Sequence, residues 1–427
     1  MQKILLFIAS LFYFNFLFSK NEIKSWQGIH ETPLSRLEQQ FAEPPVEFAN
    51  HVIWGWEGKM DKKTICNDLD SIKKKGFRAV IFEAGYKLPF KYLSEEWFKA
   101  IRTGVVEAKK RDMKVWIIDE GKYPSGFAGG KFSQERPDLR MQALVIGDTI
   151  QIKRGEVMTN HKIAPEIISA VAVSTSGAPN RTVEINNGKI SFNAGLDDWK
   201  ILLVKSDFRT AVTRAVNNPN GGKDATNSLC DYLNPVAVQQ FIDWTHKQYK
   251  KYLGKELGTT VLGFRGDEPD YAHLPWTPSI VQTFKDTKGY DPTPYLASFF
   301  TASPTIQEQR VKADYWDVWS SLFATHFFKL QADWCAANGV AHITHLNKEH
   351  EMPACVKAEG DYFRALSKVQ IPGVDAIWNQ IWPSTLNDFP KLASSVAHVY
   401  GKPRAFSESF AAYHISPTIP QAKFVDR

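Results

Sequence analysis

Val261-Leu262-Gly263-Phe264-Arg265-Gly266-Asp267-Glu268-Pro269 reads as a short apolar strand that runs into two adjacent carboxylates and a proline. The apolar positions are nearly continuous, which is the pattern of a strand buried on both faces of a parallel sheet. Arg404-Ala405-Phe406-Ser407-Glu408 repeats the design about 140 residues later and again ends on a glutamate. If both are strands of one β/α barrel, their tips share a rim and the two glutamates face each other across a single pocket.

The surrounding chain supplies the alternation a barrel needs. His51-Val52-Ile53-Trp54-Gly55-Trp56 is strand-like, and Asp61 caps a helix with Ile65, Leu69 and Ile72 on one side, ending at Gly76. A strand, Ala79-Val80-Ile81-Phe82-Glu83, and a Ser94-capped helix carrying Trp97, Ile101, Val105 and Ala108 come next. The third strand is Val115-Trp116-Ile117-Ile118-Asp119-Glu120. From about Met141 to Thr210 the pattern turns alternating and strand-rich, with an Asn187-Gly188 hairpin signal between Thr182–Ile185 and Lys189–Phe192.

Alternation resumes at Asn234-Pro235, a cap with proline in the first turn of a helix that runs to Gly254. After the strand tipped by Glu268 comes a long Pro- and Trp-rich loop. It leads to a helix with the stripe Trp316, Trp319, Phe323, Phe327, Leu330 and Trp334, closed by Asn338-Gly339. Ala341-His342-Ile343-Thr344-His345 is the fifth strand, Val374-Asp375-Ala376-Ile377-Trp378 the sixth, and the seventh ends at Glu408. The expected fold is therefore α/β, a (β/α)8 TIM-like barrel with a small β-rich insertion after strand 3. The eighth strand is expected to be missing from this chain, which stops at Arg427 inside the seventh helix. The corresponding boundaries are 21–140 for the first part of the barrel, 141–215 for the inserted β-domain and 216–427 for its remainder.

Residues 1–20 read as a signal peptide: Met1-Gln2-Lys3, an apolar run from Ile4 to Phe18, then the polar Ser19-Lys20. The mature protein is expected to be exported, periplasmic or extracellular, with no stable membrane insertion after removal of that segment. The 427 residues are 43% apolar and 23% charged, as in an ordinary globular protein. The net charge of +6 is spread along the chain. Lys73-Lys74-Lys75, Lys109-Lys110-Arg111 and Lys247 to Lys251 fall on solvated helix faces, which argues against nucleic acid. Cys66, Cys230, Cys335 and Cys355 lack C-x-x-C spacing, so structural zinc and thioredoxin-like chemistry are poorly supported.

Polar or aromatic residues recur at the strand tips. They are Trp54 and Trp56, Glu83, Asp119 and Glu120, Asp267 and Glu268, His345, Trp378 and Asn379, and Glu408. Seven tips in register point to one shared pocket. Two carboxyls across a barrel rim suit cleavage of a glycosidic bond, in which one gives a proton to the leaving oxygen while the other stays ionised. Glu268 is assigned as the acid and Glu408 as the base, with an extended backbone at Glu268 expected from Pro269. The bland alternative for Glu268 is an ion pair with Arg265 or Lys285. Glu349, Glu351 and Glu359 follow the fifth strand as supporting groups or ligands of a hard cation, and His342 points away from His345 as a hydrogen-bonded core residue.

Several segments together resemble glycoside hydrolase family 106, the α-L-rhamnosidases. They are Trp54-Gly55-Trp56-Glu57-Gly58-Lys59, the loop from Asp119-Glu120 to Gly130, Asp231-Tyr232-Leu233-Asn234-Pro235, Gly266-Asp267-Glu268-Pro269 with Pro275-Trp276-Thr277-Pro278, Asp333-Trp334-Cys335 to Gly339, and Ser407-Glu408-Ser409. The resemblance spans about residues 50 to 410. It implies hydrolysis of terminal α-L-rhamnose with inversion, a calcium ion near the sugar, Glu268 as acid and Glu408 as base. On this reading Trp54, Trp56 and Trp378 wall a carbohydrate substrate, while Asp119, Glu120, Asp267, His345 and Asn379 bind it. A retaining barrel glycosidase of other sugar specificity and a non-catalytic carbohydrate-binding fragment remain as alternatives.

Overall fold

Seven strands lie side by side in chain order as one parallel sheet. They are β1 (His51–Trp56), β2 (Ala79–Ala84), β3 (Lys114–Ile118), β4 (Val261–Gly266), β5 (Ala341–Thr344), β6 (Ile371–Ala376) and β7 (Phe406–Ser409). This computed structural model describes residues 33–43, 45–46, 50–121, 123–210, 213–214, 223–224, 228–271, 274–377, 380 and 387–411. The expected leader at 1–20 and the expected seventh helix lie outside the described residues.

Period-two alternation divides each strand between two cores. Ile53, Ile81, Trp116, Ile118, Leu262, Ile343, Ile371 and Phe406 form a single cluster that takes a side chain from every strand. Strands at opposite edges can share such a cluster only if the sheet curls, so the seven strands form a half-barrel. The opposite parity, with Trp54, Trp56, Val80, Phe82, Val115, Ile117 and Phe264, packs outward under the helices. Gly263 lies where β4 crowds β5: a Cβ there would sit 1.9 Å from the Ala341 carbonyl oxygen and 2.6 Å from the Trp116 ring.

The helix starts are fixed by side-chain caps. The Asp61 carboxylate accepts the Thr64 N–H at 2.9 Å, opening helix Lys62–Lys74. The Ser94 hydroxyl accepts from Trp97 at 3.3 Å, and the Asn234 side chain accepts from Val236 at 3.0 Å. Asn234→Ala is expected to lower unfolding free energy by about 1 kcal/mol, read by urea denaturation, without changing KM for any substrate. The helix expected from Asn234 to Gly254 is two helices, Pro235–Trp244 and His246–Leu253. At the break the Thr245 hydroxyl donates to the Phe241 carbonyl at 2.7 Å and lies 2.9 Å from His246 Nδ1, side-chain contacts that compete with the helix ladder. The aromatic helix is continuous from Ile306 to Ala337 through a π-helical stretch at Ala324–Phe328.

Between β3 and β4 the chain forms antiparallel structure, as the alternating pattern predicts. Gln142–Ile152, Trp199–Phe208, Ile167–Ser174 and Arg181–Thr182 pair in that order, and Pro275–Trp276 joins the outer edge of the first. That last strand comes from beyond Glu268, so the antiparallel sheet draws on both sides of β4. Asn187 and Gly188 do make a tight turn, with φ of 51° and 70°. The two segments it joins then part: Lys189–Asn193 pairs with Val157–Lys162, while Arg181–Thr182 pairs with the Ile167–Ser174 strand. All four cysteines are free thiols. Among the described residues no helix is long and apolar enough to cross a membrane.

Candidate active site

Arg265 is the last inward-facing side chain of β4 and is almost completely buried. Its guanidinium pairs with the Glu408 carboxylate at the tip of β7 and lies 3.6 Å from Asp267 Oδ1. His345, just beyond β5, stands between the same acids: Nε2 is 3.2 Å from Asp267 Oδ1 and 3.2 Å from Glu408 Oε2. Its other nitrogen is 3.0 Å from the Leu346 carbonyl and 3.7 Å from Glu349. Burial disfavours an imidazolium here, but hydrogen bonding to Asp267, Glu349 and Glu408 outweighs it and raises His345 well above its ordinary value. Burial likewise opposes ionisation of Glu408, yet the Arg265 charge and then His345 hold its carboxyl well below the usual range.

Glu268 has the opposite bias. Burial pushes it up to about 8, reinforced by Asp267, Asp375 and Glu349 and only partly offset by His345. Asp375, which stands opposite Glu408 in the β6–β7 register, is also raised, chiefly by burial. Glu268, His345 and Asp375 present atoms within 4.8 Å of one another, as do Asp267, His345 and Glu408. One histidine thus joins a carboxyl that favours its proton to one that favours its charge.

The expected extended backbone at Glu268 is not what forms: its φ is +36°, a sparsely populated value for a non-glycine residue. The segment is pinned on both sides. Asp267 exchanges hydrogen bonds with Ser125, accepting its N–H at 2.9 Å and donating to its hydroxyl at 2.7 Å. Tyr271 N–H donates to the Ala358 carbonyl at 3.0 Å. These ties override the preference set by Pro269. The alternative partners for Glu268 are also taken elsewhere, Arg265 by Glu408 and Lys285 by Asp291 at 2.7 Å.

Asp119 is fully buried and accepts the Ser125 hydroxyl at 2.7 Å, so it braces the loop that holds Asp267. Glu120 is turned into the glycine-rich loop, accepting the N–H groups of Gly121, Ala128 and Gly129. It closes that loop rather than facing a ligand. Gly126, at φ 94°, permits the tight packing there, because a Cβ would meet the Tyr232 ring at 2.5 Å. Trp54 and Trp56 also correct the expectation. They lie on the outward parity of β1, with Trp56 fully buried against Phe82 and Trp97, and neither can wall a sugar inside the curl. Gly55, between them, faces inward beside Glu83. Trp378 and Asn379 lie outside the described residues.

Arg265 and Asp375 enter the site without having been assigned to it, while Glu349 stands beside His345 as the supporting group expected of it. Asp375 was legible as a carboxylate inside an otherwise apolar strand, Ile371–Ala376. His342 is in the core as expected, but neither of its ring nitrogens has a hydrogen-bond partner among the described residues. Burial lowers it to about 3 and keeps it neutral.

Among the described residues carboxylate donor atoms converge within 4.8 Å in two sets, Asp267 with Glu408 and Glu268 with Asp375, each including His345; the first already carries the Arg265 charge. Asp375 Oδ1 and Glu359 Oε2 are buried oxygens with no hydrogen-bond partner among the described residues. Burial, with Asp270, Glu349 and Glu268 nearby, raises Glu359 well above the carboxylate range. A buried carboxylate oxygen with no partner is a donor of the kind calcium takes.

Residues 163–422 match the family described as alpha-L-rhamnosidase, glycoside hydrolase family 106. The chain belongs to that family. The matched region carries both Glu268 and Glu408 and begins after β3, so the motifs at Trp54–Lys59 and Asp119–Gly130 precede it. The family's fold recurs in the structure of a rhamnosidase from Novosphingobium sp. PP1Y, with a TM-score of 0.66 at 16% identity, covering 93% of this chain and 55% of that one. A Formosa agariphila protein named "Putative beta-glucuronidase" is 23% identical over 433 residues, 88% of this chain and 35% of its own length. The chain therefore spans about a third of that relative and about half of the solved rhamnosidase.

Proposed function

We propose that this member of family 106 works in an exported, inverting exo-α-L-rhamnosidase that releases terminal L-rhamnose from plant or microbial glycans. The observation that carries the reading is the opposed bias of two rim glutamates: Glu268 keeps its proton through burial, and Glu408 keeps its charge through Arg265 and His345. Glu408 takes a proton from the water that attacks the anomeric carbon, and Glu268 gives its proton to the departing glycosidic oxygen. The bond between that oxygen and the anomeric carbon breaks as the new carbon–oxygen bond forms on the opposite face. His345 and Asp267 orient the base, and Asp119 supports them through Ser125.

Inversion separates this reading from a retaining glycosidase, in which Glu408 would itself bond to the sugar. The name of the Formosa agariphila relative raises a second sugar class, a glucuronide. A uronate in the cleaved position calls for a cation, and among the described residues the cations that touch these acids, Arg265 and His345, are committed to Asp267 and Glu408. A rhamnoside, which carries no charge, makes no such demand.

The proposal includes a closed eight-stranded barrel with the β-rich segment 141–215 as an insertion, and export directed by residues 1–20. It also includes calcium. Asp375, whose buried Oδ1 has no hydrogen-bond partner among the described residues, would supply an oxygen to the ion, whose chemistry is to neutralise carboxylate charge and bind sugar hydroxyls. Chelation should lower kcat/KM on a chromogenic α-L-rhamnoside and added calcium restore it; unchanged kcat/KM after full metal removal, checked by elemental analysis, rejects the ion. The assay is run on this chain alone and in a C-terminally extended form, and absence of rhamnoside turnover from both rejects the proposed activity.

The pH profile has a definite sign. Glu268 acts protonated, so its raised value keeps activity through neutral pH and removes it as pH rises past about 8. Glu408 acts ionised, and its lowered value moves the acidic limb well below that of an ordinary glutamate. An acid limb near neutrality would contradict the assignment of the base.

A further inference from the structure

The loops that hold the catalytic carboxyls also wall part of a cavity of about 710 Å³. Lys348 lines it from the turn between His345 and Glu349, and Lys357 lines it from the helix that ends at Glu359. Leu274 lines it from the segment that follows Glu268, and the Tyr271–Ala358 backbone hydrogen bond of 3.0 Å ties that segment to the same helix. The cavity is thus lined in part by the loops that carry Glu268, His345 and Glu349. A general acid stands next to the leaving oxygen, so the flank of Glu268 is the leaving-group side.

The chemistry of the lining is mixed in an informative way. Phe299, Phe300 and Trp316 supply aromatic surface, with Phe300 and Trp316 left partly exposed. Lys312, Lys348 and Lys357 are all exposed, and among the described residues none of the three forms an ion pair with a carboxylate. The Lys312 ammonium stands 5.8 Å from the Trp316 ring centre and 6.0 Å from that of Phe299. Aromatic faces stack on the C–H faces of pyranose rings, and three unpaired ammonium groups around one cavity favour an anion. A neutral glycan would use the rings and leave the lysines without purpose.

Resting on the rhamnosidase reading, we infer that this cavity is a leaving-side subsite for an anionic pyranose, one bearing a carboxylate or a sulfate group. The sugar cut by Glu268 and Glu408 is neutral, and its neighbour in the glycan carries the charge.

The test compares three α-L-rhamnosyl disaccharides with glucose, glucuronic acid or a sulfated glucose as the leaving sugar, on the full chain and on the variant K312A/K348A/K357A. The anionic substrates should show kcat/KM about tenfold above the neutral one at low salt. That preference should shrink in high salt and vanish in the triple variant, with turnover of the neutral substrate unchanged. Whichever anion gains more identifies the charged group. Equal kcat/KM for all three, or a preference that survives the triple substitution, overturns the inference. If no rhamnoside is cleaved, the activity proposal fails, and calorimetric titration decides this one separately. Binding of an anionic disaccharide weakened by both the triple variant and Trp316→Ala upholds the subsite, whereas no binding or binding indifferent to both removes it.

Discussion

Glu268→Gln should lower kcat on an alkyl α-L-rhamnoside by about a hundredfold to ten-thousandfold, the range supplied by a positioned general acid. Gln keeps the shape and can still donate an N–H hydrogen bond, but it has no proton to transfer to the leaving oxygen. The loss should shrink for a nitrophenyl rhamnoside, whose leaving group departs well as the anion. The slope of log kcat against leaving-group pKa should therefore steepen in the variant. KM should change little, since the lost interaction is made as the bond breaks. The alkaline limb should disappear from the variant, because Glu268 is the group assigned to it. A Gln variant within about threefold of wild type on both substrate classes would remove Glu268 from the acid role.

Arg265→Met should cost about 3–5 kcal/mol of unfolding free energy, the usual result of stripping one partner from a buried ion pair. The guanidinium is nearly inaccessible and serves Glu408 and Asp267 together, so its loss leaves two carboxylates with only His345 for compensation. The value of Glu408 should rise toward and beyond that of an ordinary glutamate, because burial is no longer opposed by Arg265. The sign follows for stability: a depressed carboxylate stabilises above its unfolded value and loses that contribution as pH falls. Wild type should therefore weaken only in strong acid, and the Met variant should already be weakened at neutral pH. Urea denaturation at pH 7 reads the difference. The double variant Arg265→Met/Glu408→Gln should recover part of it, since no charge is left stranded at β7. A single-variant loss under about 1 kcal/mol would show that the pair is not the buried contact described here.

The alternation of strands and capped helices carried most of the fold in plain view. Asp61, Ser94 and Asn234 cap the helices expected of them, and the seven apolar runs become seven parallel strands in chain order. Long-range pairing was not legible. Pro275–Trp276 gives no local sign that it will join a sheet with Gln142–Ile152, and the Asn187-Gly188 turn does not reveal that its flanks separate. The site divides in the same way. Residues at or just beyond strand tips, Asp267, Glu268, His345 and Glu408, converge because the curl of the parallel sheet brings tips together.

Side-chain parity decided the failures. Trp54 and Trp56 share the outward register of β1, and strict period-two counting from Ile53 would have sent both away from the rim. Glu120 looked like a second rim acid, but three backbone N–H groups of a glycine-rich loop claim its oxygens. Arg265 was weighed only as a partner for Glu268. Its true partner is about 140 residues away, a pairing fixed by how far the sheet curls.

The first sugar released decides between inversion and retention. Proton NMR of the anomeric region, recorded in the opening minutes of hydrolysis of a terminal α-L-rhamnoside by this chain in C-terminally extended form, should show β-L-rhamnose appearing before mutarotation produces the α-anomer. Initial release of α-L-rhamnose would contradict the acid–base pairing of Glu268 and Glu408, because it would make Glu408 a nucleophile.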